Sequence, residues 1–232
     1  MTEKLYWLFG FVGLYWAYCL YWGIKGARSA KTSTDYFLAG GSIGVWVFVL
    51  AATATSFSGW TFVGHPGKIF TDGLPYAFAS FYALTIPLTG VLFLRRQWVL
   101  GKAYGYITPG EMYSDYYGGN SIRLLTVLVA FLFSVPYLGV QLRASGDLFN
   151  VLTDGLISVD VGMFALSTVV MIYVASGGLK SVAFVDCAQA ILLAVGIMVL
   201  GGVTLNYLGG WSSFTAGLAD LVRSDIESGN NL

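Results

Sequence analysis

Six segments of this chain are apolar over about 20 residues, which is the length that an α-helix needs to cross a bilayer. They cover residues 5–24, 44–69, 74–94, 121–152, 159–176 and 181–208. Only 10% of the 232 residues are charged, whereas soluble domains carry about 25%. We therefore predict an all-α integral membrane protein, with six membrane-spanning helices in residues 1–208 and an external loop or stub in residues 209–232.

The basic residues are arranged so that most of them fall on one side of the predicted membrane. They follow the first segment and flank the loops after the third and fifth: Lys25, Arg28, Lys31, Arg95, Arg96, Lys102, Arg123 and Lys180. Cytoplasmic loops carry an excess of Lys and Arg, so we predict a multi-pass protein of the cell (inner) membrane with an external N-terminus. A cleaved signal peptide has its positive charge before the apolar core, so the first segment is predicted to be retained. Twelve basic and twelve acidic residues cancel, and no nucleic-acid partner is expected.

The second segment contains a dense group of hydrogen-bonding side chains in the stretch ATATSFSGW, residues 52–60. Inside a bilayer, irregular backbone survives only where it lines a protein cavity, and transporters use such broken helices to bind ions. If Gly59 lets the backbone break, the carbonyls of Ala54 and Phe57 can face one point. The neighbouring hydroxyls that can complete an oxygen shell for a small alkali cation belong to Thr55, Ser56 and Ser58. Alternatively, these hydroxyls join helices together or bond back to carbonyls of their own helix.

Two further titratable side chains lie within apolar segments. Asp186 falls about two turns into the sixth segment, after Gly177 and Gly178 end the fifth. A carboxylate at membrane depth is functional by default, although it can also cap a neighbouring helix end. His65, which precedes a proline, is a candidate proton relay or substrate ligand, and the alternative is a hydrogen-bonded structural histidine.

The fourth segment carries polar residues that recur at helical spacing. Tyr137 and Gln141 are four residues apart and share one helix face, which we predict to point into the bundle and contact a substrate. Arg143 and Asp147 are also four residues apart, and a surface ion pair is the favoured interpretation for them.

Five stretches together resemble the sodium:solute symporter family, which includes sodium/proline, sodium/pantothenate and sodium/glucose transporters. They are DYFLAGGSIG (35–44), SGWTFVGHPG (58–67), ITPGEMYSDYYG (107–118), PYLGVQLRASG (136–146) and GGLKSVAFVDCAQ (177–189). The resemblance implies a leucine-transporter-like fold of two inverted five-helix repeats. Residues 44–208 are then the first repeat, and residues 1–43 are one extra preceding helix and its loop. The implied activity is sodium-coupled symport of a small organic solute.

The resemblance also implies roles for individual residues. The backbone carbonyls of the family's sodium site map to Ala54 and Phe57, and its cation-coupling carboxylate maps to Asp186. The solute contacts expected at the broken helix are Ser56, Ser58, Gly59 and Trp60.

Three positions depart from the family pattern. Ser56 stands where the proline-transporting branch carries an aspartate, which weakens a proline assignment. Gly41 replaces a usual arginine, and Phe184 with Val185 replaces a Trp-Thr pair, so a hydroxyl near Asp186 is missing.

The family's sodium site is completed by a helix of the second repeat, and these 232 residues contain only the first. We therefore expect the second inverted repeat to come from the same full-length chain or from a separate subunit. The alternatives are a symporter-like sensor domain of a larger signalling protein and an inactive truncated half. The sequence leaves the solute and the choice between sodium and proton coupling open. No nucleophile–base or metal-ligand motif is present, so the protein is not expected to be an enzyme.

Overall fold

The computed structural model describes residues 3–227, which are mostly helical with short connecting stretches; residues 228–232, the end of the predicted stub, lie outside the described residues. The α-helices are α1 (Glu3–Ser29), α2 (Ser33–Leu38), α3 (Val45–Ser56), α4 (His65–Asp72), α5 (Thr85–Thr89), α6 (Arg95–Tyr104), α7 (Pro109–Tyr117), α8 (Asn120–Leu152), α9 (Val159–Tyr207) and α10 (Trp211–Glu227). Tighter and wider helical turns supplement them: 3₁₀ at Ala39–Gly41 and Leu74–Leu84, and π at Trp60–Gly64 and Gly90–Leu94. The predicted all-α class is confirmed.

Three helices of the described range, α1, α8 and α9, are long and apolar enough to cross a membrane. A fourth span arises if the pair Ser33–Gly41 and Val45–Ser56, which is bent by 112°, is one unit. The second and third predicted segments are divided into shorter helical pieces. The protein thus has apolar helices of membrane-crossing length, and the six-span arrangement stays a prediction.

Helix α9 is a hairpin whose 49 residues reverse at Gly178. This residue has φ 60° and ψ −158°, a conformation that is essentially restricted to glycine. Tyr173 before the reversal and Val185 after it pack in one buried cluster with Cys19 of α1. Since residues on both sides of Gly178 reach the same point on α1, the two arms lie side by side. The arms correspond to the fifth and sixth predicted segments.

Helix α1 packs closely on both arms of this hairpin. A Cβ atom on Gly26 would lie only 2.6 Å from the carbonyl oxygen of Gly177. The hydroxyl of Ser181, in the second arm, donates a hydrogen bond to the carbonyl of Trp22 at 2.6 Å. Small residues that allow backbones to approach are typical of membrane helix interfaces, and here they make α1 part of the bundle.

The end of α8 packs against the start of α9 through another glycine contact. A Cβ atom on Gly146 would lie 2.5 Å from the carbonyl oxygen of Val159. The same part of α8 carries the ion pair predicted from spacing, with Arg143 Nε 3.1 Å from Asp147 Oδ2. Both side chains are exposed, so the pair stabilises the fold only slightly.

Short helix α7 lies outside the long apolar segments and begins with a reciprocal cap. The hydroxyl of Thr108 accepts from the amide of Glu111 at 3.3 Å, and the Glu111 carboxylate accepts from the amides of Ile107 at 2.8 Å and Thr108 at 3.2 Å. These hydrogen bonds, with a smaller contribution from Arg123, hold the pKa of Glu111 below its usual range. Helix α2 begins with the same motif at Thr32. Such caps satisfy backbone donors that a short helix cannot satisfy itself.

Candidate functional site

The second predicted segment is interrupted in the middle of its polar stretch. Helix α3 ends at Ser56, and Phe57 is extended, with φ −85° and ψ 127°. The amide of Phe57 donates to the carbonyl of Ala54 at 3.0 Å, which closes the last turn of α3. Helical structure resumes at Gly59, which has ordinary helical angles of φ −56° and ψ −31°. The backbone therefore leaves the helical path at Phe57, and the expectation that Gly59 provides the irregular conformation is wrong.

Gly59 serves a different purpose, which is to let α8 approach the break. A Cβ atom on Gly59 would lie 2.6 Å from the Cβ atom of Ala144 and 3.0 Å from Gln141 Oε1. The Gly59 amide donates a hydrogen bond to this Gln141 oxygen. Gln141 Nε2 is buried and has no hydrogen-bond partner in the described part of the chain. Tyr137, one turn earlier on α8, is 54% exposed.

The hydroxyls before the break bond to their own helix. Thr53 donates to Val49 at 2.8 Å and Ser56 donates to Ala52 at 3.0 Å. The sequence allowed this arrangement as the alternative to an ion site, and it occurs at each of these positions. The side chains are exposed on the surface of the described chain, and their oxygen atoms keep lone pairs that can accept a further ligand.

The hydroxyl after the break caps the next helical stretch. Ser58 Oγ accepts from the amide of Thr61 at 3.3 Å and lies 3.4 Å from Thr61 Oγ1. The side chain of Trp60, between them, lies along its own helix over Gly64: a Cβ atom on Gly64 would lie 2.4 Å from the Trp60 ring. Ser58 and Thr61 thus satisfy donors at the start of the C-terminal half of the broken helix.

Asp186 lies beside the last turn of α3. Its Oδ2 atom is 3.5 Å from Thr55 Oγ1. The Thr55 hydroxyl has a single proton, and the carbonyl of Ala51, at 2.9 Å, is the nearer acceptor. Both acceptors are within reach of this proton. When it points to the nearer Ala51 carbonyl, the carboxylate and the hydroxyl oxygen face each other as two acceptors, an arrangement that a cation between them would stabilise.

His65 has a hydrogen-bond partner in the segment that follows it. Its Nε2 atom lies 2.8 Å from the hydroxyl of Ser80, and its ring centre lies 5.6 Å from that of Tyr76. These contacts fit the structural alternative for His65 better than a role as a free proton relay.

The structure brings two pairs of the polar residues together, Thr55 with Asp186 and Gly59 with Gln141. The oxygen atoms near the end of α3 belong to carbonyl, hydroxyl and carboxylate groups, the kinds of ligand that hard cations prefer. Within residues 3–227, no group of three or more His, Cys, Asp and Glu side chains is placed to bind a metal ion. Contact between Gln141 and the backbone of Gly59 was not predicted, because 82 residues separate them and no local pattern signals it.

Comparison with known proteins points to transport. The Sodium/proline symporter of Escherichia coli (strain K12) is 28% identical over 193 residues, which cover 79% of this chain and 37% of that protein. The Sodium/glucose cotransporter 1 of Oryctolagus cuniculus is 27% identical over 203 residues, which cover 86% of this chain and 30% of that protein. The chain thus spans about a third of the length of these relatives. No solved structure matches.

These relatives are transporters rather than enzymes, as the sequence predicted. The sequence model of the Sodium:solute symporter family matches residues 36–228, which is most of the chain. The protein belongs to the sodium:solute symporter family.

Proposed function

We propose that the protein takes part in sodium-coupled symport of a small organic solute across the cell membrane. The observation that carries this proposal is the interrupted helix. Helix α3 ends at Ser56, helical structure resumes after two non-helical residues, and Asp186 lies beside the last turn of α3. A broken helix whose ends meet a carboxylate is the kind of site that secondary transporters use near the membrane midplane.

Sodium is proposed to bind at the end of α3. Phe57 lies at the break, and the Ala54 carbonyl, which accepts from the Phe57 amide, keeps a second lone pair for a further ligand. The hydroxyl oxygens of Ser56 and Ser58 lie at the two sides of the break and can add further ligands. Asp186 supplies the negative charge that favours a cation over water at this depth.

The solute is proposed to bind on the outer side of the break. The half-helix that starts at Gly59 presents the positive end of its dipole, which attracts an anionic or strongly polar group. Trp60 offers an aromatic surface, and Tyr137 and Gln141 lie on the neighbouring helix. The named relatives transport proline or glucose, and Ser56 argues against proline, since the proline-transporting branch carries an aspartate there.

The fold is proposed to be leucine-transporter-like, with this chain contributing the first inverted repeat. The described chain leaves three hydroxyl side chains of α3 exposed, those of Thr53, Thr55 and Ser56. Polar atoms facing hydrocarbon are unfavourable, so a second inverted repeat, in the full-length chain or in a separate subunit, is expected to cover them.

Coupling follows from the ion gradient. Sodium bound at the break stabilises the conformation that binds solute, and a rocking movement exposes both to the cytoplasm. Each charge that crosses the membrane contributes about 2.3 kcal/mol per 100 mV, which suffices to concentrate a solute many-fold.

The test is uptake of labelled solutes by proteoliposomes containing the complete protein that the gene encodes, with an inward gradient of sodium, potassium or protons. We expect accumulation of one small solute with sodium alone, from a panel that includes glucose, proline and a carboxylate. Uptake driven by a proton gradient instead would show that the coupling ion is the proton and not sodium. No uptake under any gradient, together with sodium-dependent activity of a fused signalling domain, would favour the sensor alternative.

A further inference from the structure

Asp186 is held between two different helices. Its own side chain faces α3 at Thr55, whereas the residues on either side of it along α9 contact α1. The hydroxyl of Tyr18 donates to the carbonyl of Phe184 at 2.9 Å, and Gln189 bonds to the hydroxyl of Tyr15. These two contacts lie two residues before Asp186 and three residues after it, so they bracket one helical turn.

Apolar packing strengthens the same interface. The rings of Trp22 and Phe184 stack with their centres 4.1 Å apart and their planes 2° from parallel. Val185 is fully buried and Cys19 is 1% exposed in the cluster that joins α1 to α9. Phe184 and Val185 are the two positions before Asp186 at which this chain departs from the family's pattern, and both of them pack against α1.

We propose that α1, through Tyr18 and Tyr15, is a positioning element that sets the rotation of the Asp186-bearing arm and thereby the affinity for sodium. The inference rests on the proposed sodium-coupled function. A helix anchored on one face at two points a turn apart cannot rotate about its axis without breaking both hydrogen bonds. Rotation would withdraw Asp186 from Thr55, because the Asp186 side chain belongs to the same helical turn and moves with it. Neither tyrosine touches the cation site, so each acts through Asp186.

The test compares Tyr18→Phe, which removes one hydroxyl, with Tyr21→Phe, which removes a hydroxyl from an exposed tyrosine on the same helix. In proteoliposomes containing the complete protein, Tyr18→Phe is expected to raise the sodium concentration for half-maximal uptake by about three- to tenfold, the effect of one interhelical hydrogen bond in a membrane protein. The maximal rate at saturating sodium is expected to stay unchanged, and Tyr21→Phe is expected to match the wild type.

A double-mutant cycle separates positioning from a general loss of stability. If Tyr18 acts through Asp186, then Tyr18→Phe has no further effect on the sodium requirement of Asp186→Asn. Additive effects, or an unchanged sodium requirement in Tyr18→Phe alone, would overturn the inference.

Amide hydrogen exchange provides a measurement that does not depend on transport. Tyr18→Phe is expected to speed exchange of residues 182–190 several-fold over Tyr21→Phe while leaving the first arm of α9 unchanged. If the wild type shows no sodium-driven uptake, the proposed function fails, and with it the claim about sodium affinity; exchange then decides whether α1 positions the Asp186-bearing arm. Equal exchange in the two variants would then refute it.

Discussion

Replacing Gly178, at the reversal of α9, with alanine is expected to destabilise the protein. The residue has φ 60° and ψ −158°, where an L-residue with a Cβ atom is strained. An added Cβ atom would also lie 2.5 Å from the carbonyl oxygen of Tyr36 and 2.9 Å from its ring. The backbone oxygen cannot move aside by a rotamer change, since Tyr36 is held in α2 and its hydroxyl bonds to the carbonyl of Val174 at 3.1 Å.

The size of the effect follows from these two contributions. A residue in this region of backbone space costs about 1–3 kcal/mol, and overpacking against neighbours costs about 1–3 kcal/mol more. The free energy of unfolding is therefore expected to fall by about 2–6 kcal/mol, and at about 2–4 °C per kcal/mol for a chain of this size the midpoint falls by about 4–24 °C. The assay is thermal unfolding of the purified protein in detergent, followed by intrinsic fluorescence.

The matched control is Gly139→Ala, at a helical position of α8 where an added Cβ atom meets nothing within 4 Å. Alanine stabilises a helix interior relative to glycine by about 1 kcal/mol, so this variant is expected to melt at or slightly above the wild-type temperature. If Gly178→Ala melted within a degree or two of Gly139→Ala, the hairpin reversal and its contact with Tyr36 would be refuted.

Three further changes test the site and the cap. Gly59→Ala is expected to reduce the maximal uptake rate by at least about tenfold, because its Cβ atom would lie 2.6 Å from that of Ala144 and a misplaced site costs activity steeply; Gly139→Ala is again the control, and equal rates in the two variants would contradict the contact. Asp186→Asn is expected to raise the sodium concentration for half-maximal uptake by about tenfold or more, since one charge–cation interaction is lost, and an unchanged sodium requirement would remove Asp186 from the mechanism. Glu111→Gln tests the cap of α7: the folded pKa of Glu111 lies below the ordinary 4.5, so its stabilisation is present above that pH and is lost as the pH falls through the lower folded pKa. The difference in melting temperature between wild type and Glu111→Gln is therefore expected to shrink on acidification below about pH 4.5, and a constant difference would refute the assignment.

Local chemistry was sufficient to predict the interruptions of the apolar segments. The cluster of hydroxyls before Gly59 marked a break in the second segment, and the helix does end there, at Ser56. The pair Gly177–Gly178 marked the boundary between the fifth and sixth segments, and the chain reverses at Gly178. Both signals work because they depend on the residues that form the irregular backbone.

Contacts between distant segments were not predictable in the same way. Glycine next to a break suggests a flexible backbone, but Gly59 is helical and is needed because Ala144 and Gln141 of α8 lie against it. The irregularity of the third predicted segment was also not predicted, because an apolar composition does not distinguish α from 3₁₀ or π turns. Pro75 and Pro87, which lack amide donors, favour departures from a regular helix within it.

The sequence offered two alternatives for the hydroxyls of α3, a cation site or hydrogen bonds to carbonyls of their own helix. The two are compatible. Each of Thr53, Thr55 and Ser56 donates its single proton to a carbonyl four residues earlier in the same helix. With their protons directed along the helix, the exposed side of this surface presents oxygen lone pairs rather than donors. Such a surface repels a carbonyl group and attracts a cation. The bond that satisfies the Thr55 hydroxyl within its own helix therefore also leaves its oxygen, beside Asp186, open to the sodium ion that we propose binds there.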